Sequence, residues 1–192
     1  MTLTTESHPA VLAAITEGCA ALGFAMSCDL TTGQLLRTLA AARPGGRILE
    51  LGTGAGTGTS WLLSGMDAGA TLVSVELDEA VAAVAAEHLG ADPRLELVTG
   101  DGAALIDSLA PGSFDLVFAD TWPGKFHHLD QALALLAPGG LYLIDDLLPQ
   151  PTWPEDHASS VTALVERLTT DPLLHATYLD CSTGLLLATR LP

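Results

Sequence analysis

The sequence predicts a doubly wound α/β fold with a sheet of seven strands, mostly parallel, and one antiparallel strand near the C-terminal edge. Three observations carry this. Short apolar runs alternate strictly with helical stretches between residues 47 and 145. Runs such as Leu116-Val-Phe118 and Leu141-Tyr-Leu-Ile144 are continuously apolar, as strands covered on both faces should be. The last two runs lie close enough in sequence to pair as a hairpin.

In chain order, Thr31–Ala42 reads as a helix closed by Pro44-Gly-Gly46. The strands are Arg47–Leu51, Thr71–Glu76, Leu95–Thr99, Phe114–Asp120 and Leu141–Asp145, each short and bounded by Gly, Pro or Asp. The helices between them are Thr57–Met66, Glu79–Leu89, Gly102–Leu109 and Lys125–Leu136, with Asp78 as the N-cap of the second. Such alternation means right-handed βαβ units. A proline-rich loop, Pro149–Pro154, leads to a helix over Ala158–Thr169 and then to Leu173–Asp180 and Gly184–Arg190. The whole is one Rossmann-like domain over residues 1–192. Residues 1–30 form an N-terminal arm, 31–146 the core, and 147–192 a loop, helix and closing hairpin.

The formal charge of −16 argues against nucleic acid and against an anionic membrane surface as partners. No apolar run reaches spanning length, and Met1–Pro9 does not read as a signal peptide. Cys19, Cys28 and Cys181 are an odd set without a CxxC pair, which points to a reducing, cytoplasmic setting.

Glycines at 52, 54, 56 and 58 follow the first strand and open a helix. Glycine permits a sharp turn and close approach of a ligand, and a helix start favours an anionic group. The dinucleotide pattern G-x-G-x-x-G fails, because Thr57 or Thr59 occupies its last position. The pattern is acidic-x-G-x-G-x-G from Glu50, which resembles the first motif of class I S-adenosylmethionine-dependent methyltransferases. Glu76 ends the second strand, where a carboxylate can accept from both ribose hydroxyls. Asp101, in Gly100-Asp-Gly102, either reaches the adenine amino group, as in that family, or caps a helix.

Further stretches follow at suitable spacing: Thr32-Gly-Gln-Leu-Leu36, Phe114-Asp-Leu-Val-Phe-Ala-Asp120 and Pro138-Gly-Gly-Leu-Tyr-Leu-Ile-Asp-Asp146. Together they resemble the catechol and caffeoyl-CoA O-methyltransferase family over about residues 26–190. The resemblance implies O-methyl transfer to a small molecule and a homodimer. It implies a cofactor site at Glu50, Gly52, Thr53, Gly54, Gly56, Thr57, Gly58, Glu76, Leu77, Asp101, Gly102, Asp120 and Trp122. Ser27 would lie at the cofactor's methionine end. It also implies a divalent cation, Mg²⁺ or similar, held by Asp120, Asp145 and Asp146.

Two departures stand out. Asp146 replaces the family's Asn, and Pro123 replaces its catalytic lysine. Lys125 lies two residues later and could be a general base, a substrate anchor or a surface charge. Asp120 and Lys125 are the catalytic candidates, with His127 and His128 as further proton carriers or plain surface residues. Trp122 and Trp153 could sandwich a planar substrate or simply pack, and His157 could approach from the same loop. A metal-independent methyltransferase and a non-catalytic cofactor-binding module are the alternatives.

Overall fold

The structure is a computed structural model that describes residues 8–149, 153–154 and 157–192. The opening Met1–Ser7 stretch, read above as lacking a signal peptide, and residues 150–152 of the proline-rich loop lie outside the described residues.

Seven strands form one sheet: β1 (Arg47–Leu51), β2 (Thr71–Glu76), β3 (Leu95–Thr99), β4 (Phe114–Ala119), β5 (Leu136–Ile144), β6 (Leu174–Leu179) and β7 (Leu185–Arg190). Their order is β3-β2-β1-β4-β5-β7-β6. Every pairing from β3 to β5 is parallel, and β7 runs antiparallel between β5 and β6. This is the predicted seven-stranded sheet with its single reversed strand.

Helices α1 (Leu12–Leu22), α2 (Leu30–Ala41), α3 (Thr57–Gly65) and α4 (Glu79–Leu89) cover one face. The other face carries α5 (Gly102–Ser108), α6 (Leu129–Ala134) and α7 (His157–Thr169). Strand alternation assigns side chains to the two layers. In β4, Leu116 and Phe118 join the α1–α4 layer, while Val117 and Ala119 join the other. All four are essentially inaccessible to solvent. Burial of each large one contributes roughly 1.5–3 kcal/mol.

Three boundaries differ from expectation. The arm before residue 30 contains α1, whose buried residues are Ile15 and Cys19. The helix expected over Lys125–Leu136 is confined to Leu129–Ala134. His128 enters it with φ 54°, and Gly124 with φ 86° turns the chain before it. Finally, β5 begins at Leu136 rather than Leu141, because 137–140 continue beside β4 through a register shift between Phe114 and Leu116.

Candidate active site

The tips of β1, β2, β4 and β5 converge where open α/β sheets bind ligands. The glycine loop is pinned to its neighbours. Gly52 and Thr53 N–H both donate to Val75 O at 3.0 Å, and Asp120 N–H donates to Leu51 O at 2.8 Å. Gly52 has φ 98°, and a Cβ there would stand 2.8 Å from the Asp120 carbonyl oxygen. No other residue allows this close crossing of the β1 and β4 tips.

Glu76 ties the loop to the second strand. Gly54 N–H donates to its Oε2 at 2.8 Å and Asp78 N–H to its Oε1 at 3.0 Å. The carboxylate is half-buried, with Leu77 exposed beside it. Glu50 behaves otherwise. It is fully buried beneath the loop, where Thr59 and Ser74 hydroxyls donate to its Oε2, both at 2.5 Å. Its Oε1 has no hydrogen-bond partner among the described residues and would lie 2.5 Å from any Cβ at position 58, so Gly58 makes room for it. Burial, only partly offset by those hydroxyls, pushes its carboxyl up to about 8. Glu50 therefore supports the loop from inside and does not line the cleft. Thr53 is buried too, its hydroxyl 2.5 Å from that of Ser74.

Gly54, Gly56 and Thr57 complete the turn into α3, with Gly56 as N-cap at φ 99°. Phe24 approaches the loop at Gly54. Ser27 is exposed, its hydroxyl 3.7 Å from Cys19 Sγ, and it lines a cavity of about 480 Å³ with Thr57, Phe24 and Trp61. Asp101 caps α5 by accepting from Ala103 N–H at 2.8 Å. Gly102 packs under Pro123.

The acidic corner lies at the tips of β4 and β5. Asp120 is mostly enclosed. Desolvation, with Asp145 and Asp146 nearby and Lys125 opposing, raises its carboxyl to about 7. Asp145 is buried, and desolvation raises it as well. Its Oδ1 accepts from the Thr183 hydroxyl and from Asp146 N–H. Asp146 itself has φ 63°. Lys125, expected at a helix start, is instead buried inside this corner. It donates to Asp145 O at 2.8 Å and stands 3.5 Å from Asp120 Oδ1. Among the described residues, no group of three or more His, Cys, Asp or Glu side chains is arranged to hold a metal ion. Asp120 Oδ1 and the Asp145 carbonyl face the Lys125 ammonium, and Asp145 Oδ1 is held by Thr183 and the Asp146 amide, so a corner already holding a cation does not fit the expected divalent centre.

An aromatic wall stands beside Asp120. His157 packs against Trp153, Phe126 and Trp122 at ring-centroid distances of 4.6, 4.7 and 5.7 Å. Trp122 remains 55% exposed, so one of its faces is open to a ligand. His127 and His128 face each other, their Nδ1 atoms 2.9 Å apart, and His128 also lies 3.7 Å from Asp107.

Sequence reasoning missed Thr183 and Ser182. The turn between β6 and β7 brings Thr183 to Asp145 and Ser182 to Thr32, hydroxyl to hydroxyl at 2.7 Å. Their separation from residues 32 and 145 hid them; Gly184, which lies against Leu148 N, was the one local signal of a tight turn there.

Known proteins are similar to this chain in sequence and in fold. A protein of Mycolicibacterium vanbaalenii, named as a candidate O-methyltransferase, is 33% identical over 143 residues, 72% of this chain. The chain spans 63% of that relative's length. A crystal structure from Klebsiella pneumoniae, also named as a candidate O-methyltransferase, is 30% identical with a TM-score of 0.82. That match covers 95% of this chain and 90% of the other. The O-methyltransferase TomG of Streptomyces achromogenes shares the fold, with 24% identity, a TM-score of 0.81 and coverage of 100% and 92%. The family described as a methyltransferase domain matches residues 49–147, the stretch from β1 through the acidic corner. The glycine loop, the Glu76 tether and the β4–β5 tips all fall within that match, and the chain belongs to the methyltransferase domain family.

Proposed function

We propose that the protein transfers a methyl group from S-adenosylmethionine to an oxygen atom of a small molecule. The observation that carries the reading is the Gly54–Glu76 tether, which sets a ribose-type carboxylate beside an open glycine loop at the β1–β2 tips. The cradle fits the cofactor: Gly52, Gly54 and Gly56 take positive φ, so the chain turns tightly beside the half-buried Glu76. Two of the structural neighbours, TomG and a Bacillus cereus O-methyltransferase, are complexes with SAM and SAH.

When bound, S-adenosylmethionine supplies a methyl group activated on a sulfonium. Gly52, Gly54, Gly56 and Thr57 would hold its amino-acid part, Glu76 its ribose, and Asp101 or Trp122 its adenine end. Asp120 would orient the acceptor hydroxyl, and the Trp122 face would stack against a planar acceptor. Residues 147–192 would form the acceptor side. The divalent cation expected at Asp120, Asp145 and Asp146 is not part of this reading, because the Lys125 ammonium already lies among those oxygens. Dimerisation and a cytoplasmic setting are further proposals, carried by the family resemblance and by the free cysteines.

Calorimetry with S-adenosylmethionine and with NAD, followed by methyl transfer to a panel of hydroxylated aromatics, tests the reading. Binding of the first alone and methylation of at least one acceptor are expected. Tight NAD binding without S-adenosylmethionine binding would overturn it.

A further inference from the structure

The family resemblance implies a lysine three residues after the first acid of the metal site, and the chain has Pro123 there. Its lysine, Lys125, arrives by another route. The turn at Pro123-Gly124 folds the segment inward, and the Tyr142 hydroxyl donates to Gly124 O at 2.8 Å. A Cβ at position 124 would stand 2.7 Å from Leu51 Cδ1 and 2.8 Å from Tyr142 Oη, so the depth of this turn is fixed. The Lys125 side chain is left 4% exposed, between Asp145 O and Asp120 Oδ1.

We infer that the Lys125 ammonium is the resident cation of the acidic corner, standing where a divalent metal ion is expected and keeping such an ion out. A hard divalent ion needs several carboxylate and carbonyl oxygens at short range. Asp120 Oδ1 and Asp145 O already face Lys125, and Asp145 Oδ1 is held by Thr183 and the Asp146 amide. A second cation among the same oxygens would be repelled by the first. A lysine ammonium, compact and with three donors, suits the role. In catalysis Lys125 then acts as a positioning residue, fixing Asp120 and the end of β5. That consequence rests on the methyltransferase reading, whereas the exclusion of metal does not.

The test is calorimetric titration of chelator-treated protein with Mn²⁺, using wild type, Lys125→Met and the double variant Lys125→Met/Asp120→Asn. Far-UV circular dichroism and cooperative thermal unfolding report folding of each. Wild type is expected to bind no Mn²⁺ below the millimolar range. Lys125→Met is expected to gain a single site at least tenfold tighter, which the double variant loses. Wild-type methyl transfer is expected to stay within twofold when EDTA is added. One-to-one micromolar Mn²⁺ binding by wild type overturns the inference without any variant. So does a folded Lys125→Met that gains no affinity, or activity lost in EDTA and restored by Mg²⁺. Absence of methyl transfer to every acceptor would sink the proposed function and leave the Mn²⁺ measurements to decide the inference.

Discussion

Two glutamates at strand positions do opposite work. Glu76 is half-buried beside the glycine loop and accepts from two backbone amides. Replacing it with Ala removes a charged acceptor worth roughly 1.5–3 kcal/mol per bond. Glu76→Ala should weaken S-adenosylmethionine binding by tenfold or more in calorimetry, and an unchanged affinity would remove Glu76 from the site. Glu50 is the reverse case, a buried carboxyl whose neutral form is favoured up to about pH 8. Between its ordinary value of 4.5 and about 8, the unfolded chain releases this proton while the folded chain keeps it. Folding stability therefore falls as pH rises through that window and levels off above it. Glu50→Gln should remove this slope. Its stability advantage over wild type should widen by roughly 2–3 kcal/mol from pH 6 to 8.5, at about 1.4 kcal/mol per pKa unit. Parallel denaturation curves at the two pH values would show that Glu50 ionises freely. The spacing of both acids was legible in the sequence. Which one turned inward was not, because that depends on Thr59 and Ser74 meeting Glu50 across α3 and β2.

At the level of elements, the glycine-loop half of the candidate site was readable and the acidic corner was not. The strands β1 to β4 and the glycine turn follow from local composition, and they lie as expected. The segment 121–128 does not follow, since apolar Phe126, Leu129, Leu133 and Leu136 repeat with helical spacing. Tertiary contacts override that pattern: Lys125 and Phe126 amides both donate to Trp122 O, and Tyr142 holds Gly124. Helix α1 was missed because it has no side-chain cap and no acidic first turn, although Gly23 with φ 66° marks its end. The β6–β7 hairpin was legible, but not that its turn braces the acidic corner through Thr183 and Asp145, 38 residues apart. Thr183→Val should cost roughly 1–3 kcal/mol by leaving a buried carboxylate short of a donor. Thr183→Ser keeps the hydroxyl and should recover most of that loss in thermal unfolding. Equal destabilisation by both would mean that the methyl group, not the hydrogen bond, matters.

Over the whole molecule, strand alternation and the final hairpin specified a mostly parallel doubly wound sheet with one reversed strand, because right-handed crossovers leave few ways to place parallel strands, while the order β3-β2-β1-β4-β5-β7-β6 came from the structure. What composition adds at this scale is charge. With 23 acidic and 7 basic residues, the folded chain carries −16 and repels itself. The ion pairs do little to offset this. Arg167 with Asp130 and Asp171 lies at the surface, and Arg94 with Asp92 is a local pair only two residues apart. The screening length shortens from about 30 Å at 0.01 M salt to about 3 Å at 1 M. Net repulsion should therefore fade with added salt faster than these short-range attractions do. The melting temperature should rise by a few degrees between 0.01 and 0.5 M NaCl, the reverse of what a protein held by surface salt bridges would show. The same rise should be smaller at pH 5, where partial protonation lowers the net charge. A melting temperature that falls with salt would mean that favourable charge pairs outweigh the excess of acids.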